Sequence, residues 1–335
     1  MAILTAAIPS VSNASKSIVE KVARESREAA HRIADFVLRT PLVYSEAFSD
    51  ELDAKVFFKL ENRQTTGSFK LRGATNRLML LGEQERAAGC VAASSGNHGA
   101  AVASAMQKLG ISGVVFVPEK TSSVKVDAIR GYGGDVRFFG TDGLDTEEHA
   151  RRFAVENGMT YLSPYNDEAV IAGQGSCGVE ILEDLPDVDM AFIAVGGGGL
   201  IGGVGSVLKA HDPGIQVMGC QPAASPVMAR SIEAGEILEM PSQPTLSDGT
   251  AGGIEAGAVT FPLSQAVVDR WVVVNEGQIA SAMRLYMDRQ GDRIEGAAGV
   301  AVAALQQTEV RGRTVVVVIC GGNISDETLE SVRTE

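Results

Sequence analysis

The stretch "AFIAVGGGGLIGGVGSVL" (residues 191–208) decides the architecture. An apolar run ends in four consecutive glycines, and a run of small, helix-compatible residues follows. Its lack of charge would suit a membrane span, but so many glycines make a poor lipid-facing helix. A buried strand, a tight loop and a helix start account for it. Glycines in such a loop let several backbone N–H groups surround one anion, and the helix N-terminus adds its positive end. A phosphate is the natural guest for Gly196, Gly197, Gly198 and Gly199. The plainer reading, a strand–helix turn, needs one or two glycines rather than four. "GGGLIG" (197–202) also satisfies the G-x-G-x-x-G dinucleotide pattern, but the next strand ends "MGCQPAA" with Gln221 and no acid to hold a ribose.

Outward from this stretch the same alternation recurs. "AKVFFKLE" (54–61), "GCVAASS" (89–95), "SGVVFVPE" (112–119), "DVRFFG" (135–140), "GIQVMGCQP" (214–222) and "RTVVVVICGGN" (313–323) read as strands. "HGAAVASAMQKLG" (98–110), "SSVKVDAIRGYG" (122–133) and "DTEEHARRFAVENG" (145–158) read as helices. Such alternation predicts an α/β fold with parallel sheets covered by helices. Ligands in these sheets sit beyond the carboxyl ends of the strands, which nominates the loops 94–99, 196–199 and 320–323. There is no internal repeat and no low-complexity linker.

With 335 residues, 45% of them hydrophobic, the chain can bury a sizeable core and form two lobes. A formal net charge of −13 argues against a nucleic-acid or anionic-membrane surface, yet leaves room for a small anionic ligand. Cys90, Cys177, Cys220 and Cys320 show no C-x-x-C spacing, which disfavours a metal knuckle or dithiol site and fits a reducing compartment. The opening "MAILTAAIPSVSNASKS" (1–17) lacks the basic region of a secretory leader, so a soluble cytoplasmic protein is expected.

Three features carry chemistry. In "TTGSFKLRGA" (65–74), Lys70 stands between Phe69 and Leu71 rather than among polar residues. A desolvated lysine loses its proton more readily and becomes a nucleophile toward carbonyls, whereas the plain alternative is a surface or ion-paired lysine. "SSGNHG" (94–99) gathers Ser94, Ser95, Asn97 and a helix start into a donor cluster suited to a carboxylate. One N-cap, by Ser95 or Asn97, would need only one such residue. Alone, His98 is weak evidence of catalysis. Lysine, phosphate loop and carboxylate cluster together suggest pyridoxal phosphate receiving an amino acid, with Cys320 as partner for the ring nitrogen; otherwise Cys320 is a core cysteine.

"ENRQTTGSFKLRGA", "SSGNHG", "VIAGQG" (170–175), "VGGGGLIGG" and "CGGN" stand in the order and rough spacing of the serine/threonine dehydratase family, which this chain resembles from about residue 34 to 323. These are pyridoxal-phosphate enzymes of fold type II, tryptophan synthase beta-like, and include serine racemase. The resemblance implies two open parallel-sheet lobes with the cofactor between them: a discontinuous large domain, 1–88 plus 167–335, and a small domain, 89–166. It implies that Lys70 holds the cofactor as a Schiff base and then acts as general base. Phe69 packs on the ring, Asn97 bonds its phenolic oxygen, residues 196–199 with Leu200 cradle the phosphate, and Cys320 faces the ring nitrogen. Ser94, Ser95, Asn97 and His98 hold the substrate carboxylate, and Ser95 matches the second base of racemases. The implied reaction turns a β-hydroxy amino acid of the threonine, serine or hydroxyaspartate type into a 2-oxo acid and ammonia. A homodimer is implied.

Departures narrow this. "CQPAASPVMA" (220–229) has no carboxylate where serine racemase-like members bind a divalent cation, so no metal is expected at that site. The chain stops about a dozen residues after its last motif, which disfavours an isoleucine-type regulatory domain. "LSDGTAGGIEAGAVTF" (246–261) looks like dehydratase-like proteins of hydroxyectoine utilization. Glu295, in "EGAAG" (295–299), either sits behind the ring or caps a helix. Other readings remain open: a racemase or β-replacement enzyme, a dinucleotide-dependent oxidoreductase, or an inactive binding module.

Overall fold

The structure, a computed structural model, describes residues 3–4 and 13–334; the stretch read for a leader lies largely outside these. Among the described residues, eleven strands follow in chain order: β1 (Ile3–Leu4), β2 (Leu42–Tyr44), β3 (Lys55–Leu60), β4 (Cys90–Ala93), β5 (Gly113–Val117), β6 (Asp135–Phe138), β7 (Thr160–Tyr161), β8 (Met190–Ala194), β9 (Gln216–Pro222), β10 (Arg270–Val274) and β11 (Thr314–Ile319). They form a seven-stranded sheet ordered β1-β10-β9-β8-β11-β3-β2 and a four-stranded sheet ordered β6-β5-β4-β7. The small sheet is wholly parallel. The large one is parallel except at its edges, where β1 and β2 pair antiparallel.

The six strands read from sequence are all present, as is the strand in the opening stretch. Four more are added. β10, "RWVVV", carried a β-branched signal, whereas β1, β2 and β7 are two or three residues long and too short for periodicity to show. The 21-residue helix Asn13–Ile33 was also not anticipated. Among the described residues no helix is long and apolar enough to cross a membrane; residues 191–208 divide between β8, a loop and the helix Gly199–His211.

Strand order places the site. In the large sheet β8, β9 and β10 step outward one way while β11 and β3 lie on the other side, so the order reverses between β8 and β11. In the small sheet it reverses between β4 and β7. Loops leaving the carboxyl ends of two strands at such a switch point diverge and leave a crevice. Four loops therefore face one another: those after β8 and β11, and those after β4 and β7.

Behind the crevice three helices, Lys70–Met79, Glu168–Asp184 and Gly199–His211, cross at glycines. A Cβ on Gly173 would lie 2.6 Å from the Gly73 Cα and 2.7 Å from the Arg72 carbonyl oxygen, and one on Gly203 would lie 2.4 Å from the Ile171 carbonyl oxygen. The "VIAGQG" motif is thus a close backbone-to-backbone contact. Gly173→Ala is expected to destabilise the protein by ~1–3 kcal/mol through overpacking. Gly131→Ala, whose Cβ would meet nothing within 4 Å, should stay within ~0.5 kcal/mol of wild type. Urea unfolding midpoints check both, and equal midpoints would refute the close-contact account.

Candidate active site

The crevice is a cleft of about 1550 Å³. Its lining includes every residue nominated from sequence: Phe69 and Lys70, Ser94, Ser95, Asn97 and His98, the run 196–200, and Cys320.

Lys70 opens the helix Lys70–Met79 and is delivered by a backbone clamp. The Phe69 N–H donates to the Cys320 carbonyl (3.0 Å), Ser68 forms an antiparallel bridge with Gly321, and the Gly322 N–H donates to the Gly67 carbonyl (2.9 Å). The end of β11 and the start of this helix are therefore one unit. The Lys70 Nζ donates to the Pro164 carbonyl (2.9 Å) and lies 5.2 Å from the Phe69 ring centre. Burial of the amine lowers its pKa from 10.5 to about 8, and the neighbouring Cys320 and Glu295 oppose the shift without cancelling it. Among the described residues no carboxylate touches the amine directly; its partner is a neutral carbonyl.

In the loop after β8, Gly198 takes a left-handed conformation (φ 87°) at the N-cap of the helix Gly199–His211, which has no side-chain cap. A Cβ on Gly197 would sit 2.4 Å from the Tyr165 ring, and one on Gly196 would press on the Thr250 backbone at 3.0 Å. The glycines are thus required by crowding against Tyr165 and Thr250, which also line the cleft, and the uncapped helix start leaves backbone N–H groups for an anion.

After β4 the structure corrects one reading. The N-cap of the helix Asn97–Leu109 is Gly96, with no side-chain cap, because the Ser94 Oγ accepts from the Gly96 N–H (3.1 Å) and Asn97 is engaged elsewhere. Neither Ser95 nor Asn97 caps this helix. The His98 ring is committed to another partner. Its Nε2–H donates to the Leu162 carbonyl (2.9 Å), and burial, helped by Lys70, pushes its pKa down to about 3, so it stays neutral. His98 ties the loop after β4 to the loop after β7.

Glu295 has the N-cap position of the helix Gly296–Gln306, yet its side chain caps nothing. Both carboxylate oxygens accept from the Asn97 Nδ2 (3.1 and 3.0 Å), and the Cys320 thiol faces one of them at 3.9 Å. Asn323 completes the set by donating to the Asn97 Oδ1 (2.7 Å) and the Thr66 carbonyl (2.9 Å). Burial holds the Cys320 thiol protonated, well above its ordinary 9.0. Sequence reasoning missed Pro164, Tyr165 and Asn323. Only "CGGN" hinted at the last, and nothing local marks the loop after β7. Among the described residues no group of three or more His, Cys, Asp or Glu is placed to hold a metal.

The family model of pyridoxal-phosphate dependent enzymes matches residues 33–321. The chain is 40% identical over 307 residues to an L-threonine ammonia-lyase of Thermotoga maritima, covering 91% of this chain and 76% of that one. It is 37% identical over 303 residues to the catabolic L-threonine dehydratase TdcB of Staphylococcus aureus, covering 89% and 87%. Among solved structures, the processed form of threonine deaminase isoform 2 from Solanum lycopersicum is similar with a TM-score of 0.92, at 30% identity and 99% and 96% coverage. Maize serine racemase is similar with a TM-score of 0.87, at 32% identity and 92% and 96% coverage.

Glu295 makes the site's electrostatics measurable. Burial, the largest cause, raises its pKa from 4.5 to about 7, against the hydrogen bond from Asn97. The folded chain holds this proton more tightly than the unfolded one. The associated stability is complete below pH 4.5 and is lost as pH rises through 7. Glu295→Gln should therefore flatten the fall in urea midpoint of the cofactor-free protein between those pH values; an unchanged slope would contradict the assignment.

Proposed function

The chain belongs to the family of pyridoxal-phosphate dependent enzymes, and from that premise we propose an ammonia-lyase that eliminates water from a β-hydroxy amino acid. Threonine is the first candidate, with serine, hydroxyaspartate and hydroxyectoine-derived amino acids in the same class. The observation that carries the reading is the Lys70 amine, its pKa lowered by burial to about 8, in one cleft with the glycine loop and the Ser94–Ser95 donors. Relatives named for threonine deamination support it.

The residues present fit the cofactor. Uncapped N–H groups at 197–200 suit its phosphate, Lys70 its aldehyde carbon, Phe69 its ring face, and Cys320 its ring nitrogen. Pyridoxal phosphate, when bound, supplies the electron sink for the electron pair left at Cα.

The chain's own groups do the rest. Backbone N–H groups at the uncapped start of the helix Asn97–Leu109, with Ser94 and Ser95, hold the substrate carboxylate and fix which bond at Cα is in line for cleavage. In this reading the His98 ring contributes by holding that loop. Once free, the Lys70 amine is kept in the cleft by the Pro164 carbonyl, close enough to its ordinary working pH to take the Cα proton. The Cβ–O bond then breaks, the hydroxyl leaves as water on the proton that Lys70 took from Cα, and the Cα–Cβ double bond forms. The enamine released is hydrolysed to a 2-oxo acid and ammonia. A protonated thiol at Cys320 would offer the ring nitrogen no negative charge, so the bound group would be a weaker electron sink, which suits elimination.

In this reading the segment 89–166 is the smaller domain of a cytoplasmic homodimer. Ser95 lines the cleft, where it could serve as a second base in a racemase; inversion of the substrate without ammonia release would favour that alternative. A product that depends on an added nucleophile would favour β-replacement.

The test is ammonia and 2-oxo acid release from threonine, serine, both 3-hydroxyaspartate diastereomers and hydroxyectoine-derived amino acids. Release from one or a few is expected, and Lys70→Ala should lower it by ~10³-fold or more. Full activity in Lys70→Ala would sink the mechanism.

A further inference from the structure

Two residues beyond Lys70, roughly half a turn round the same helix, Arg72 is fully buried. Its guanidinium donates through Nε and Nη2 to Glu61 (both 2.8 Å) and through Nη1 and Nη2 to Glu180 (2.6 and 2.8 Å). Ser176 Oγ accepts another bond from Nη1 (3.1 Å). Lys59, equally buried, donates to Glu180 and to the Thr40 carbonyl (2.7 Å), and the Thr40 hydroxyl donates to Glu61 (2.6 Å). Two cations and two carboxylates thus neutralise one another, with Lys59, Glu61 and Arg72 fully buried and Glu180 at the edge, its side chain 11% exposed.

Such a cluster is a poor source of stability, because apolar residues of the same volume often do as well or better. What it provides is geometry. A planar guanidinium gripped on two edges by two carboxylates admits one orientation. That matters because the helix Lys70–Met79 begins without a side-chain cap. Glu61 also opens the segment "ENRQTTGSFK" that leads to Lys70, so the Glu61–Arg72 fork closes that segment into a ring.

We infer that Arg72 is a positioning residue for Lys70: its fork to Glu61 and Glu180 holds the first helical turn so that the amine meets Pro164 and the substrate Cα proton. The inference rests on Lys70 being the base of the proposed reaction. The titratable groups around the amine itself are Cys320, Glu295 and His98, and none belongs to the cluster.

Arg72→Lys keeps the charge and removes the fork. In the cofactor-free protein, the pH dependence of Lys70 modification by a small amine-reactive ester, followed by mass spectrometry, reports the state of the amine. In the loaded enzyme, kcat and KM are separated. Arg72→Lys should lower kcat by ~10–100-fold with KM changed by ~2-fold or less. The midpoint of Lys70 modification should move from about 8 toward 10.5 as water reaches the amine. Ser176→Ala, which removes the bond from Arg72 and a local one to the Gly173 carbonyl and is a small change, should shift both in the same sense, with ~2–3-fold in kcat. Lys21→Ala, which breaks the exposed pair with Glu168 on the Ser176 helix, should move neither.

A folded Arg72→Lys with a lower unfolding midpoint but wild-type kcat and Lys70 profile would make the cluster merely structural and overturn the inference. If Arg72→Lys does not fold, an unmoved Ser176→Ala overturns it. Full turnover in Lys70→Ala would instead overturn the parent reading and this inference with it.

Discussion

Lys70 hydrogen-bonds a carbonyl and not a carboxylate, and the site depends on that choice. A buried amine beside a free carboxylate would keep its proton and be useless as a base. The fold therefore has to bring acidic groups near without letting them touch. Glu295, the carboxylate near the amine, is occupied by the Asn97 amide. The desolvation of the amine is tolerable because that carboxylate already has a partner.

The same logic explains why the cleft needs both sheets. Asn97 comes from the loop after β4, while Glu295 and Asn323 come from the large-sheet side, so the orienting amide network crosses the crevice. Pro164 and the His98–Leu162 bond bring in the loop after β7. Two switch points, one per sheet, are the least arrangement that supplies four loops to one place.

Much of this was legible in the sequence where chemistry is local. The glycine run, Lys70 and Cys320 sit at strand or helix ends, and their residue types announce what those positions require. The strands read from sequence were also local matters of β-branched runs. What stayed hidden depends on partners distant along the chain. Glu295 shows a capping position in sequence, but only the fold turns its side chain toward Asn97, 198 residues away. Arg72 reads as an ordinary helical arginine until Glu180 is brought to it, and nothing in "SSGNHG" shows that the His98 ring is held by the Leu162 carbonyl. β7 is two residues long and exists because β4 offers it an edge.

The placing of β11 bears on how the molecule is made. It is the last strand of the chain, yet it lies between β8 and β3, and pairs with both. During synthesis β3 and β8 wait with open edges until residue 319 has left the ribosome, and an open edge is a template for a wrong partner. The segment carrying Lys70 waits as well, since its clamp is the end of that strand. A product that stops short of residue 322 cannot assemble the clamp, so the surroundings of the Lys70 amine are completed only once that residue has been made.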